Sequence, residues 1–519
     1  EKMQNCASVA WKHLLTLTLC LTGASAVGDY NEILVFHDDF NELNMRKWKH
    51  ELTMGGGGNW EFEMYVNSRR NSYVRDGVLF MKPTLTSDVY GKKLVVGNNP
   101  AVGGQPQWAM NRVDMWGSTP ADTCTGNQFF GCERIATQDN PVNYLQSSRV
   151  RTAESFSIKY GRVEVRAALP RGDWLWPAIW MLPQDNVYGP WPNSGEIDIM
   201  ESRGNGPSYI ADTGQHMGCD SYGATLHWGP AYNVDGFAET MGTHTLKNSD
   251  FSKDFHIFGL YWSPDEIIFY VDDISNVVNH VKFTEDGYFW KLGLKSDVWK
   301  SDKNGGDVPF KKMFANPWVG ASPSAPFDQE FYLILNLAIG GTAGVGPQGF
   351  FPDGLGNKPW ENTESTSLSD FIAAEDQWMP SWTKNGTHGQ IGENAALKID
   401  SVNVWAFEGV SSWTYHNNYT GRAGATGKVT DYSPQNDVSN VTAAWTLFIF
   451  FAGLACGLGM ALYSKEIQTL LLKSPVSGEE RNIAEQKGNA SYGSFQGRLI
   501  QAEDNHDPPS RGGGGGADH

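Results

Sequence analysis

Ser194-Gly195-Glu196-Ile197-Asp198-Ile199-Met200-Glu201 sets three carboxylates among aliphatic residues, with the turn-rich Ser202-Arg203-Gly204-Asn205-Gly206 behind them. Aliphatic residues between turn-forming flanks read as a buried strand. Side chains alternate along a strand, which puts Glu196, Asp198 and Met200 on one face and Glu201 on the other. One extra residue, a β-bulge at Ile199-Met200, would return Glu201 to the face of the other two acids. Three acids on one buried face are costly unless the site uses them.

With the bulge, the two glutamates lie four effective strand steps apart, roughly 13 Å between Cα atoms at ~3.3 Å per step. Both long side chains can lean inward while the shorter Asp198 stays between them. Their carboxyls can then approach to the ~5–5.5 Å used when one carboxylate attacks a sugar and the other protonates the leaving oxygen; the inverting geometry needs a wider gap. The same row of acids also suits a hard cation or a solvated sheet edge.

Outward from this strand, short β-like runs alternate with turn signals from Asp29 to about Phe407. Examples are Ile33 to Phe36, Gly161 to Ala167, Ile257 to Trp262, Ile267 to Val271, Phe331 to Leu337 and Leu397 to Val404. Their number and spacing predict an all-β sandwich, placed at residues 29–410. Two stretches read as long loops, Thr84 to Asn143 and Tyr288 to Phe327, and long loops on a sandwich commonly shape a binding cleft.

The ends of the chain read differently. Residues 1–26 resemble a secretion signal: Lys2 and Lys12, the apolar Leu14 to Leu21, then Ala24-Ser25-Ala26 as the cleavage site. In an oxidising compartment Cys124 and Cys132 are expected to close a short loop, leaving Cys219 free and buried. Residues 411–440 are polar and read as a stalk. Asn385, Asn418 and Asn440 lie in acceptor sequons for N-linked sugar. Ala443 to Tyr463 carries no charge, which predicts a single C-terminal transmembrane helix with Trp445 and Tyr463 at its ends. Lys465 and Lys473 then place the polar tail, 464–519, in the cytoplasm. The expected localisation is a cell-surface or secretory-pathway membrane, with the sandwich outside. Gly453 and Gly457 have the small-xxx-small spacing that admits weak self-association through the span.

The formal net charge of −18 argues against nucleic acid as a partner. The chain holds 20 tryptophans, some of them core. Interleaved with Asn, Gly and Asp, they suit a groove where rings stack on sugar faces.

Glu196-Ile197-Asp198-Ile199-Met200-Glu201 resembles the bulged active-site strand of glycoside hydrolase family 16, in its laminarinase-like group. Further blocks agree in order: Gly57-Gly58-Asn59-Trp60-Glu61, Tyr160 to Arg166, Trp176-Pro177-Ala178-Ile179-Trp180-Met181-Leu182-Pro183, His227-Trp228, Ala325 to Gln329 and Asn336 to Gly341. The resemblance covers roughly Tyr30 to Phe407 and neither the apolar span nor the tail. It implies a concanavalin A-like β-jelly-roll with a cleft, acting on β-1,3-glucan. It implies Glu196 as nucleophile, Glu201 as general acid/base and Asp198 as the residue that shares a proton with the nucleophile. Crowded carboxylates cannot all ionise together, so one stays protonated to donate. Trp176 and Trp180 would line the cleft as sugar platforms, His227 would sit near the acid/base, and Asn59 would contact a sugar hydroxyl. No cofactor and no catalytic metal are implied, although some relatives place a structural calcium ligand at the position of Asp400. Hydrolysis is the leading expectation. Glucan recognition without turnover and transglycosylation are the alternatives, since both would use the same cleft.

Overall fold

The computed structural model describes residues 30–117, 123–296, 314–342, 349–383 and 390–416. All of them lie in one compact unit, Glu1–Ala425; the second unit, Thr426–His519, lies outside the described residues. Two large antiparallel sheets form the body of the unit, with a three-stranded sheet of Glu63–Tyr65, Leu145–Ser147 and Thr84–Leu85 and a two-stranded sheet of Arg112–Asp114 and Glu133–Ile135 beside them. The eight-stranded sheet runs in the order Asp273–Lys282, Glu266–Val271, His256–Trp262, Gly161–Ala168, Leu397–Phe407, Val78–Met81 and Ser72–Arg75, with Glu32–Asp38 also paired to Leu397–Phe407. The nine-stranded sheet runs Met241–Thr245, Ser221–His227, Glu196–Ser202, Leu175–Pro183, Phe331–Ile339, Arg149–Arg151 and Lys49–His50. Phe156–Lys159 also pairs with Phe331–Ile339, and Ser412–Tyr415 with Phe156–Lys159.

Alternation explains the first sheet. In Gly161–Ala168, Val163, Val165 and Ala167 are buried while Arg162, Glu164 and Arg166 point outward. Arg162 binds Glu32 at 2.6 Å and lies over the Trp405 ring, and Arg166 binds Asp400 at 2.9 Å. Asp400 therefore faces a cation of the protein rather than the oxygen-rich shell a calcium ion uses. One hydrophobic core draws on both sheets: Val165 and Val402 from one meet Ile179, Ile197, Ile199 and Leu333 from the other, each at most 1 % exposed. Burying each such side chain stabilises by about 1.5–3 kcal/mol.

The second sheet departs from simple alternation where it passes the site. Leu175–Pro183 is buried on both faces along most of its length, so its far face is covered by something other than the sandwich core. Two short helices, Ser367–Ala373 and Glu375–Trp382, support its start: Phe371 stacks on Trp378 at 4.5 Å, and the Trp382 indole donates to the Asp173 carbonyl at 2.8 Å. The stretch read as a loop from Thr84 to Asn143 holds three one-turn helices and the hairpin of Arg112–Asp114 with Glu133–Ile135, and Cys124 and Cys132 are disulfide-bonded there. Cys219 is free and buried. Tyr288–Lys295, at the start of the other loop-like stretch, is helical.

The expected transmembrane helix is a correction. No helix among the described residues is long and apolar enough to cross a membrane. Tyr288–Lys295 and Glu375–Trp382 have eight residues each, against the ~20 a span needs. The described residues form an all-β sandwich that holds no such helix, and nothing in them supports a membrane partner or a pairing through Gly453 and Gly457. Residues 1–26, the rest of the stalk beyond 416, the sequons at Asn385, Asn418 and Asn440, and residues 443–519 lie outside the described residues.

Candidate active site

The acidic strand carries its irregularity where the alternation demands it. Against Leu175–Pro183, Trp180 faces Asp198 and Ile179 faces Met200, so Ile199 is the extra residue. Against Ser221–His227, Asp198 faces Thr225 and Glu201 faces Gly223, three steps on one strand against two on the other. Glu201 thereby joins the side of Glu196 and Asp198, while Ile197 and Ile199 stay in the core. Gly195 leads into the strand at φ +83°; a Cβ there would meet the Phe327 ring at 2.9 Å and Pro326 at 3.2 Å.

Each acid has its own partner. Trp191 donates its indole N–H to Glu196 Oε2 at 2.6 Å, and Trp176 donates to Glu201 Oε1 at 2.9 Å. His227 Nε2 lies 3.2 Å from Asp198 Oδ2, an ion pair whose angle falls short of a good hydrogen bond, so that oxygen is otherwise unpartnered. On its far side His227 Nδ1 meets Asp235 Oδ2 at 2.6 Å. Asp235 is itself held by the backbone N–H groups of Trp228 and Phe237, both at 3.2 Å. Phe237 stacks on the imidazole at 5.3 Å.

The electrostatics follow from crowding. Burial, and then the charge of Asp198, push Glu196 up to about 8. Burial and the charge of Glu201 push Asp198 up to about 6. Burial also raises Glu201, against the pull of His227. Burial alone would lower His227, but Asp235 and Asp198 together hold it well above its ordinary value. Glu196 and Asp198 therefore titrate as a unit that keeps a proton into the neutral range, beside an imidazolium. Glu196, Asp198 and His227 each bring one atom within 4.8 Å of the others. Carboxylate and imidazole are also metal-ligand types, and a metal ion there would have to displace the imidazole proton.

The other expected residues fall in different places. Trp176 is buried and its ring lies flat on Phe350 at 3.7 Å, so it meets the site through its N–H rather than through an open face. Trp180 is half-buried; Arg149 covers one face of the ring at 4.5 Å, and its N–H donates to Asn336 Oδ1 at 2.6 Å. From there a polar chain continues to Asn59. Asn336 donates to the Tyr65 hydroxyl at 3.2 Å, and Tyr65 donates to Glu61 at 3.1 Å. Asn59 donates to the other Glu61 oxygen at 3.2 Å. Asn59 is thus tied to the acidic strand through Trp180 rather than placed beside it.

Sequence reasoning passes over Trp191, Asp235, Tyr65 and Arg149. Trp191 and Asp235 sit in turns, where no periodicity marks them. The only signal for Trp191 is its position five residues before Glu196.

The family profile "Glycosyl hydrolases family 16" matches residues 133–289. The β-1,3-glucan-binding protein of Penaeus monodon is 44 % identical over 377 residues, 72 % of this chain and 90 % of that one. Glucan endo-1,3-beta-glucosidase A1 of Niallia circulans is 32 % identical over 322 residues, 59 % of this chain and 34 % of that one. Among solved structures, the endo-β-1,3-glucanase of Pyrococcus furiosus is 22 % identical, covers 73 % of this chain and 95 % of its own, and has a TM-score of 0.40. The chain belongs to glycoside hydrolase family 16, in the group of β-1,3-glucan-binding proteins and glucanases. Glycosidases of this family need no cofactor.

Proposed function

We propose that the protein is a retaining endo-β-1,3-glucanase that hydrolyses internal bonds of laminarin-type glucans. The observation that carries this is the bulge at Ile199, which brings Glu201 to the face of Glu196 and Asp198, each acid held by a separate partner. In the first step Glu196, ionised once its proton passes to Asp198, attacks the anomeric carbon. Glu201 gives its proton to the departing glycosidic oxygen, leaving a glycosyl ester on Glu196 and a free new chain end. In the second step Glu201, now a carboxylate, takes a proton from water, and the hydroxide opens the ester. Asp198 and the imidazolium of His227 hold the negative charge that Glu196 regains. Trp180 and Asn59, with Trp176 behind Glu201, contribute to holding the sugar. The disulfide supports an extracellular or lumenal setting.

A second reading, glucan recognition with little or no turnover, is favoured by the likeness to the β-1,3-glucan-binding protein of Penaeus monodon. Product analysis of the protein on laminarin, mixed-linkage glucan and agarose separates the two. Soluble β-1,3-oligosaccharides from laminarin support hydrolysis. Laminarin retained without any sugar released supports recognition alone, and cleavage of agarose in place of laminarin refutes the substrate.

A further inference from the structure

Two aromatics in the loop that carries the disulfide and a third packed against it are unusual together. Trp60, Phe129 and Phe130 are large aromatics, and all are exposed: Trp60 by 51 %, Phe129 by 46 % and Phe130 by 74 %. All three hold positive φ, at +54°, +52° and +60°. Only a few per cent of non-glycine residues sit there, and bulky ones are outliers. Buried aromatics such as Phe40 and Trp174 also hold positive φ, but here the rings stand on the surface, and strained backbone there clusters at functional sites.

The surroundings hold these rings in place. The Trp60 and Phe129 rings meet edge to face at 5.7 Å. Arg134 donates to the carbonyls of Phe129 at 3.0 Å and Phe130 at 3.4 Å, and its other nitrogen donates to Asn143 at 2.8 Å. Asn143 in turn donates to the Glu63 carbonyl at 2.6 Å, within the stretch that follows Trp60. Thr53 donates to the Gly126 carbonyl and Met54 to that of Gly131, fastening the loop on both sides of the Phe129 turn. The Cys124–Cys132 bond closes the same loop.

The place of this rim relative to the acids is set by the polar chain already described. Trp60 lies between Asn59 and Glu61, and Glu61 reaches Trp180 through Tyr65 and Asn336. The aromatic pair is therefore joined to Trp180 through the residues on either side of Trp60. We infer that Trp60 and Phe129 form a remote binding platform for the polysaccharide, stacking on glucose rings of a chain longer than the site around the acids holds. The occupant is a β-1,3-glucan polymer: the exposed surface is ring faces without a charge pair, and ring faces take sugar faces. This rests on the proposed β-1,3-glucan reading.

The test compares affinity for laminarin polymer with affinity for a β-1,3-linked glucose trisaccharide, using Glu196→Gln protein so that nothing is consumed. Trp60→Asn removes the ring and suits the left-handed backbone; Trp60→Tyr keeps a ring. The expected result is a loss of about tenfold in polymer affinity for Trp60→Asn, in line with one aromatic anchor. Trisaccharide affinity should not change, and Trp60→Tyr should stay close to wild type on both. Unchanged polymer affinity in Trp60→Asn overturns the inference, as does an equal loss on both ligands or an equal loss in Trp60→Tyr. Protein with an intact Trp60 that binds neither glucan would instead refute the β-1,3-glucan reading itself.

Discussion

Trp176 donates its indole N–H to Glu201 across the strand pair at 2.9 Å, while its ring face is taken by Phe350. Its role follows from that bond. Trp176→Phe keeps the packing and removes the donor. A hydrogen bond to a charged group contributes about 1.5–3 kcal/mol, so turnover of laminarin should fall by ~10–100-fold. The donor also lowers the pKa of Glu201. Its loss should therefore move the alkaline limb of the pH–rate profile upward, which steady-state rates across pH would show.

Asp235 acts on the acids through His227 alone. With Asp235→Asn, His227 loses the larger of the two charges that keep it protonated. Its positive charge lowers both Glu196 and Asp198. Those two should then lose their proton at higher pH, and the acid limb should shift up by about one unit. A drop in rate with an unmoved profile would mean that Asp235 only supports the loop.

The raised Glu196 makes stability depend on pH. Its folded value of about 8 lies above its ordinary 4.5, so between those values the unfolded chain binds fewer protons than the folded one. Stability contributed by the protonated form is present below about 4.5 and is lost as pH rises through 8. Glu196→Gln lacks this dependence. It should melt higher than wild type at pH 8, by ~1–2 kcal/mol of stability, with the advantage gone near pH 4. Thermal melts at the two pH values decide it.

The Cys124–Cys132 loop is short, with a sequence separation of 8. Cys132→Ser should therefore cost only about 2–3 kcal/mol on the chain-entropy account. Denaturant melts should show this loss while the strands around Glu196 keep their hydrolytic rate on short substrates.

What was legible in the sequence was whatever has a period. The alternation of Glu196 to Met200, broken by a third acid, Glu201, out of phase, predicts the bulge, and the registers carry it at Ile199. The alternating Gly161–Ala168 and the aliphatic Phe331–Ile339 are strands as read. What was hidden lies in contacts between segments remote in sequence. Trp176 reads as a sugar platform until Phe350, 174 positions later, is seen lying on it. Asp235 gives no signal, because its meaning comes from the turn that folds it back onto His227. Asn59 depends on a chain through Tyr65 and Asn336, and no spacing in the sequence encodes that. Hydropathy alone predicts a span over Ala443 to Tyr463, which lies outside the described residues; the described residues hold no helix long and apolar enough to cross a membrane.

Proton NMR of the first sugar released from laminarin tests the central claim most directly. Attack by Glu196 followed by water on the same face as the departed oxygen predicts the β-anomer first, with the α-anomer growing in later by mutarotation. The α-anomer appearing first would contradict the two-step mechanism, and laminarin bound with no sugar released would contradict hydrolysis.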